Sequence, residues 1–403
     1  MKYLSPILLP LLFACQSKKS SSPNKIIVPD SIPGTFDFDR SFIKKYCKVV
    51  ELSEKNARLL IVPDYQARVM TSTANGGEGN SYGWINYQLI ESGRLKAHIN
   101  PFGGEDRFWF GPEGGQYAFY FKKGDPFDFE HWQTPPLIDT EPFEIVNVDS
   151  TQATFKKTSS VTNYQGFTFQ FDIQRKIKLL DQSATELEFG ISLENLLAVA
   201  FQSDNMITNK GTESWSKKNG LLSIWILGMF NPSDQTVIAL PHEKSNDKNK
   251  ITDNYFGTIP PDRIVKSDHL LLVKGDGKYR GKVGIQPLIA SPIIGSYNER
   301  KHILTLVKFD LDRKGLYVNS KWELQKEPFT GDVANAYNDG PQADGSQLGP
   351  FYELESSSPA KELKQGESLR HRHTTLHLEG DEIELNRIAE KTLGASLRQL
   401  TFN

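Results

Sequence analysis

Apolar and polar residues alternate along much of this chain, and the period is that of strands. Residues 48–52 and 57–62 flank Ser53-Glu-Lys-Asn56, a spacing that predicts a hairpin. Residues 167–173 alternate cleanly, and 185–191 repeat the pattern. Further strands are predicted over 223–227, 236–240, 303–309 and 373–378. A helical period emerges only near the end. There Leu385, Ile388 and Ala389 recur within 382–393, after Gly380-Asp381 and before Gly394. Many short strands separated by turn residues predict an all-β sandwich closed by a short C-terminal helix. No internal repeat or Pro/Gly/Ser linker divides the body, so 36–403 reads as one domain.

The first residues add a second expectation. Lys2 precedes a short apolar stretch from Leu4 to Phe13, and Ala14 stands directly before Cys15. The stretch is too short to span a bilayer as a retained helix. Residues 1–14 therefore read as a lipoprotein signal peptide, Cys15 as the lipidated residue and 15–35 as a serine-rich tether. This predicts a lipid anchor in the bacterial cell envelope, either periplasmic or on the outer surface. With Cys15 lipidated, Cys47 is the remaining cysteine and an intrachain disulfide is excluded. Forty-seven Lys and Arg against 49 Asp and Glu give a net charge of −2, and no basic block favours nucleic acid. The sequence carries no signature of an oligomeric state.

Candidate chemistry concentrates in two glycine-rich stretches, 100–116 with 130–133, and 337–356. Arg107 can bind a carboxylate bidentately, and Trp109 or Trp132 can stack on a sugar face. The alternative is an internal ion pair from Arg107 to Glu105 or Glu113, with both tryptophans in the core; Glu113 and His131 share that ambiguity. Glu353 and Glu355 share one strand face, about 7 Å apart from the rise per residue. Tyr337, Asn338 and Asp339 lead into a turn beside them, which either is turn chemistry alone or aims a carboxylate at a ligand. His371, His373 and His377 alternate onto one strand face, with Arg370 and Arg372 on the other. No carboxylate or cysteine completes a metal motif, and no phosphate loop or dinucleotide fingerprint occurs. No metal and no cofactor are expected.

The stretch from Phe351 to Ala360, followed by Leu363-Lys-Gln-Gly-Glu367 and a final strand, resembles the closing segment of the aldose 1-epimerase (galactose mutarotase-like) superfamily. Ala57 to Val69 is similar to that superfamily's first hairpin. The resemblance implies a β-supersandwich and a carbohydrate ligand. It also implies that Glu355 is the general base that removes a proton from the anomeric hydroxyl. The family's acid histidine belongs mid-chain, yet 195–209 contain no histidine. His371 or His373 is the expected replacement. The leading expectation is an envelope-anchored, aldose-1-epimerase-like protein acting on a mono- or oligosaccharide. A non-catalytic glycan-binding lipoprotein is the first alternative, and a polysaccharide lyase using Tyr337 and Arg107 the second.

Overall fold

Period-two alternation gives each strand one face to bury, and two sheets facing one another are the way to bury both. The computed structural model describes residues 32–402 apart from 248, 249 and 343. The expected signal segment and Cys15 lie outside the described residues. Within them, a ten-stranded antiparallel sheet runs Ile264–Lys266, Leu270–Lys274, Thr236–Pro241, Ile293–Asn298, Ile303–Phe309, Ser368–Glu379, Leu197–Asn209, Thr168–Leu180, Gln152–Thr162 and Glu144–Val148. A six-stranded sheet runs Ile251–Thr252, Gly281–Ile285, Ala334–Asn338, Tyr352–Ser357, Ser223–Phe230 and Arg107–Gly111. The predicted hairpin forms as Val50–Glu54 with Ala57–Val62, and Arg68–Thr73 extends it to three strands.

The two large sheets pack face to face as a β-supersandwich. Phe169, Phe171 and Phe201 of the larger sheet join Phe108, Phe110 and Ile226 of the smaller in one core. Toward the other end, Ile238, Leu240 and Val307 meet Val283, Ala336 and Leu354. Each such side chain contributes about 1.5–3 kcal/mol by leaving water. The far face of the ten-stranded sheet is covered by the C-terminal helix Glu382–Leu393. Its Leu385, Ile388 and Ala389 pack on Leu304, Leu306 and Leu376. Asp381 caps that helix by accepting from the Glu384 N–H, and Gly394 ends it in the left-handed region.

One predicted strand is a helix. Residues 185–191 alternate, yet Gln182–Phe189 is α-helical. Asp181 accepts from the Ala184 N–H at 2.8 Å and Gly190 terminates the helix at φ 66°. Thr185 and Phe189, four apart, are buried, whereas Leu187 is 85 % exposed. Caps at both ends outweigh the alternation of three residues. Helices at Phe36–Ile43, Tyr87–Ser92 and Pro136–Asp139 add to the expected C-terminal one.

Candidate functional site

The strand Tyr352–Ser357 lies in the middle of the six-stranded sheet, between Ala334–Asn338 and Ser223–Phe230. Its alternation sends Tyr352, Leu354 and Ser356 toward the larger sheet and Glu353 and Glu355 away from it. The neighbouring strands add Tyr337 opposite Glu353 and Lys282 opposite Tyr337. On the other side come Met229 opposite Glu353, and Arg107 and Glu355 on either flank of Leu227. The outer face of this sheet is therefore charged at its centre, and loops build aromatic walls around it. They enclose a cleft of about 580 Å³, lined among others by Arg107, Trp109, Trp132, Trp225, Lys282 and Glu353.

Arg107 reaches its place because the preceding glycines let the backbone pass close to its neighbours. Gly103 and Gly104 have φ of 101° and 109°. A Cβ on Gly103 would sit 2.0 Å from the Trp84 carbonyl oxygen. The Arg107 guanidinium pairs with Glu353, both groups being almost wholly buried, and lies 5.0 Å from the Trp109 ring. This replaces the anticipated alternative of a pair with Glu105 or Glu113. Glu105 is instead bound by Ser72 and His377 in the interior.

Glu355 is fully buried. Its Oε2 accepts from Trp225 Nε1 and from Lys282 Nζ, each at 2.9 Å. Lys282 also lies 4.5 Å from the Trp225 ring. Trp225 and Lys282, which hold Glu355, line the cleft themselves, and Glu355 lies behind them. The carboxyl groups that line the cleft are Glu353 and Glu113.

Burial pushes both of these carboxyls up. Glu113 rises to about 7, with Glu355's charge adding to burial while Lys282, a hydrogen bond from Trp322 and Arg280 oppose it. Glu353 rises to about 8, because burial and the negative charges of Glu355 and Asp339 outweigh Arg107 and Lys282. Asp332, behind Lys282, is raised to about 6 by burial. Five carboxyls (Glu113, Glu353, Glu355, Asp332, Asp339) thus face four cations (Arg107, Arg280, Lys282, Lys321). In a site largely shielded from water that imbalance favours keeping protons on some of the acids.

The Tyr337 hydroxyl, also on the cleft, donates to Asp339 at 2.7 Å, and Asp339 accepts from the Gly349 N–H at 3.0 Å. Asp339 thus orients Tyr337 from a buried turn. Asn338 turns away from the cleft: its Nδ2 donates to the Tyr279 carbonyl and its Oδ1 accepts from the Gly277 N–H. His131 stands on an exposed loop and bonds Asp128 at 2.6 Å, whereas its neighbour Trp132 lines the cleft. His371 and His373 share a face, as expected, but that face looks into the space between the sheets. Both bond Ser356 Oγ at 2.8 Å. They lie behind the strand whose other face carries Glu353, so the expectation that they replace the acid histidine is corrected.

Several buried polar atoms on the cleft have no partner: Arg107 Nε, Trp109 Nε1 and Trp132 Nε1; the covered Glu355 Oε1 is a fourth. Each such atom costs about 1–3 kcal/mol until a ligand or water satisfies it. Lys282, Arg280, Trp225 and Trp322 were not anticipated from sequence. Arg280 and Lys282 do alternate, but the strand Gly281–Ile285 contains two glycines, which weaken the strand signal. No group of His, Cys, Asp and Glu side chains suited to a metal ion occurs among the described residues.

A β-supersandwich with an acidic and aromatic cleft on the outer face of its smaller sheet is the class of protein that these features define. The chain belongs to a family of unknown function, DUF6786, whose model matches residues 34–403. No curated protein matches it in sequence. Among solved structures it is similar to the Slr1438 protein of Synechocystis sp. PCC 6803. Identity there is 12 %, with 83 % of this chain and 96 % of that one covered at a TM-score of 0.50, which shows a shared fold. A galactose mutarotase-like protein of Lactobacillus casei overlaps at 12 % identity, 82 % and 100 % coverage and a TM-score of 0.48. A galactose mutarotase related enzyme of Lactobacillus acidophilus overlaps at 12 % identity, 82 % and 97 % coverage and a TM-score of 0.45.

Proposed function

We propose that the chain is a carbohydrate-active protein whose cleft binds a sugar and moves protons between its anomeric hydroxyl and its ring oxygen. The observation that carries this reading is the wall of buried tryptophans with unpartnered polar atoms beside two carboxyls of raised pKa. A sugar has apolar C–H faces that cover indole rings and hydroxyls that satisfy orphaned donors. Interconverting anomers needs one acid and one base at the same ring. Glu353, the higher of the two, retains its proton near neutrality and donates it to the ring oxygen. Glu113 takes the proton of the anomeric hydroxyl. The C1–O5 bond then breaks to give the open aldehyde, and the ring recloses on either face with the protons returned. Arg107, Lys282 and Tyr337 hold the hydroxyls.

Proton NMR of the protein with galactose, glucose and galacturonic acid tests this reading. Anomer exchange should accelerate, with a narrow optimum between about pH 7, where Glu113 loses its proton, and about pH 8, where Glu353 does. Saturation transfer without exchange would select a non-catalytic binding protein, and an unsaturated product from a uronate polymer would select a lyase. We further propose attachment to the cell envelope through lipidated Cys15. Labelled palmitate should enter the wild-type chain and not Cys15→Ser; equal labelling of both would refute the anchor.

A further inference from the structure

The cleft continues beyond its aromatic wall. Between the loops at 254–256 and 320–323 lies a trough of about 950 Å³ that shares Glu113, Lys282 and Trp322 with the inner cleft. We propose that this trough binds the second and following units of an oligosaccharide whose terminal ring occupies the inner cleft, which makes a glycan chain the substrate class. The inference rests on the carbohydrate reading above and adds to it a second binding region with its own residues.

Three observations support it. The first is size: the trough is larger than the inner cleft that it continues. One sugar ring fills only a part of the two together. The second is the rim. Phe129 and Phe256 are 42 % and 37 % exposed, and both border the inner cleft and the trough. Phe129 and Trp322, which border both spaces, each stack on Trp132 of the inner wall, at 5.9 Å and 20° and at 5.8 Å and 24°, so one aromatic cluster joins the cleft to the trough. Successive pyranose rings present flat C–H faces, which the exposed rings of Phe129 and Phe256 can cover.

The third is the polar complement. Asn254, Lys321 and Glu323 border the trough and not the inner cleft, and offer donors and acceptors to hydroxyls. At the junction the Arg280 guanidinium lies 4.1 Å from the Phe256 ring and donates to Gln342 Oε1 at 3.1 Å. That pairing fixes Phe256 as a platform where the first linkage would pass.

Calorimetry and saturation-transfer NMR with galactose, glucose and galacturonic acid, each beside its linear tetramer, test the proposal on the full chain. For whichever sugar binds, the tetramer should bind at least about tenfold tighter than the monomer, about 1.4 kcal/mol. Asn254→Ala, at an exposed position that borders the trough and not the inner cleft, should reduce that gain while leaving monomer affinity within about twofold. Lys321→Ala, at a half-buried position bordering the trough, should also reduce the gain. Equal affinity of monomer and tetramer, or an equal loss for both in Asn254→Ala, overturns the second region and leaves the inner cleft standing. Absence of binding by all six sugars overturns the carbohydrate reading itself.

Discussion

The two faces of the strand Tyr352–Ser357 bury titratable groups in opposite ways. On the inner face Ser356 bridges His371 and His373 between the sheets, and burial pushes the two imidazoles down to about 3 and about 4. Both rings are neutral and no counter-charge is needed. On the outer face Glu353 and Glu355 are buried against Arg107, Trp225 and Lys282, and their surroundings open into a cleft. Each face has polar atoms without partners, so orphaned atoms alone do not mark a site. Access for a ligand separates the two, and burial beside other carboxylates gives the outer face a proton to exchange near neutral pH.

The sharpest way to break this contrast is Glu353→Gln. Loss of the proton donor should lower anomer exchange by about 10²–10⁴ while saturation transfer to bound sugar persists. Loss of binding in parallel with turnover would reduce Glu353 to a ligand holder. The converse change, Ser356→Ala, removes the hydroxyl shared by His371 and His373. It should cost about 1–3 kcal/mol in denaturant unfolding and leave exchange per folded molecule unchanged. A collapse of exchange without loss of stability would draw the inner face into the chemistry.

The faces should also differ in the sign of their pH dependence. His371 and His373 have folded values below the ordinary 6.5, so the unfolded chain takes up protons that the native one refuses. Their contribution is present above about pH 6.5 and is lost toward pH 4, by at most about 1.4 kcal/mol per unit for each ring. His371→Asn should therefore flatten the acid limb of a stability profile. Glu353 is raised above the ordinary 4.5, so its contribution declines as pH rises from about 4.5 to about 8. Glu353→Gln should gain on the wild type over that interval. Stability differences that run parallel for the two variants would contradict the assigned protonation states.

Much of this architecture was legible in the sequence, because alternation decides which face a strand buries. The hairpin at 50–62, the strand through Thr168, the shared face of Glu353 and Glu355 and the final helix follow from period alone. So does the opposition of His371 and His373 to Arg370 and Arg372, which pair outward with Asp204 and Asp310. Depth was not legible. The period places Glu355 on the outer face but cannot say that Trp225 and Lys282, from strands distant in sequence, cover it. It sets the three histidines on one face without telling that this face looks into the space between the sheets. The helix Gln182–Phe189 escaped because three alternating residues fit both periods, and the caps decide between them.

Division of labour within one strand has a consequence for how this protein can change over time. Replacements on either side of Tyr352–Ser357 touch one environment at a time, so the cleft can be retuned while the interior stays as it is. Insertion or deletion of a single residue does something different. It would turn Glu353 and Glu355 into the apolar space occupied by Leu354 and expose Ser356 to the cleft, exchanging the two environments at once. This segment should therefore accept varied side chains at fixed length, with changes in length confined to the loops that carry the rim.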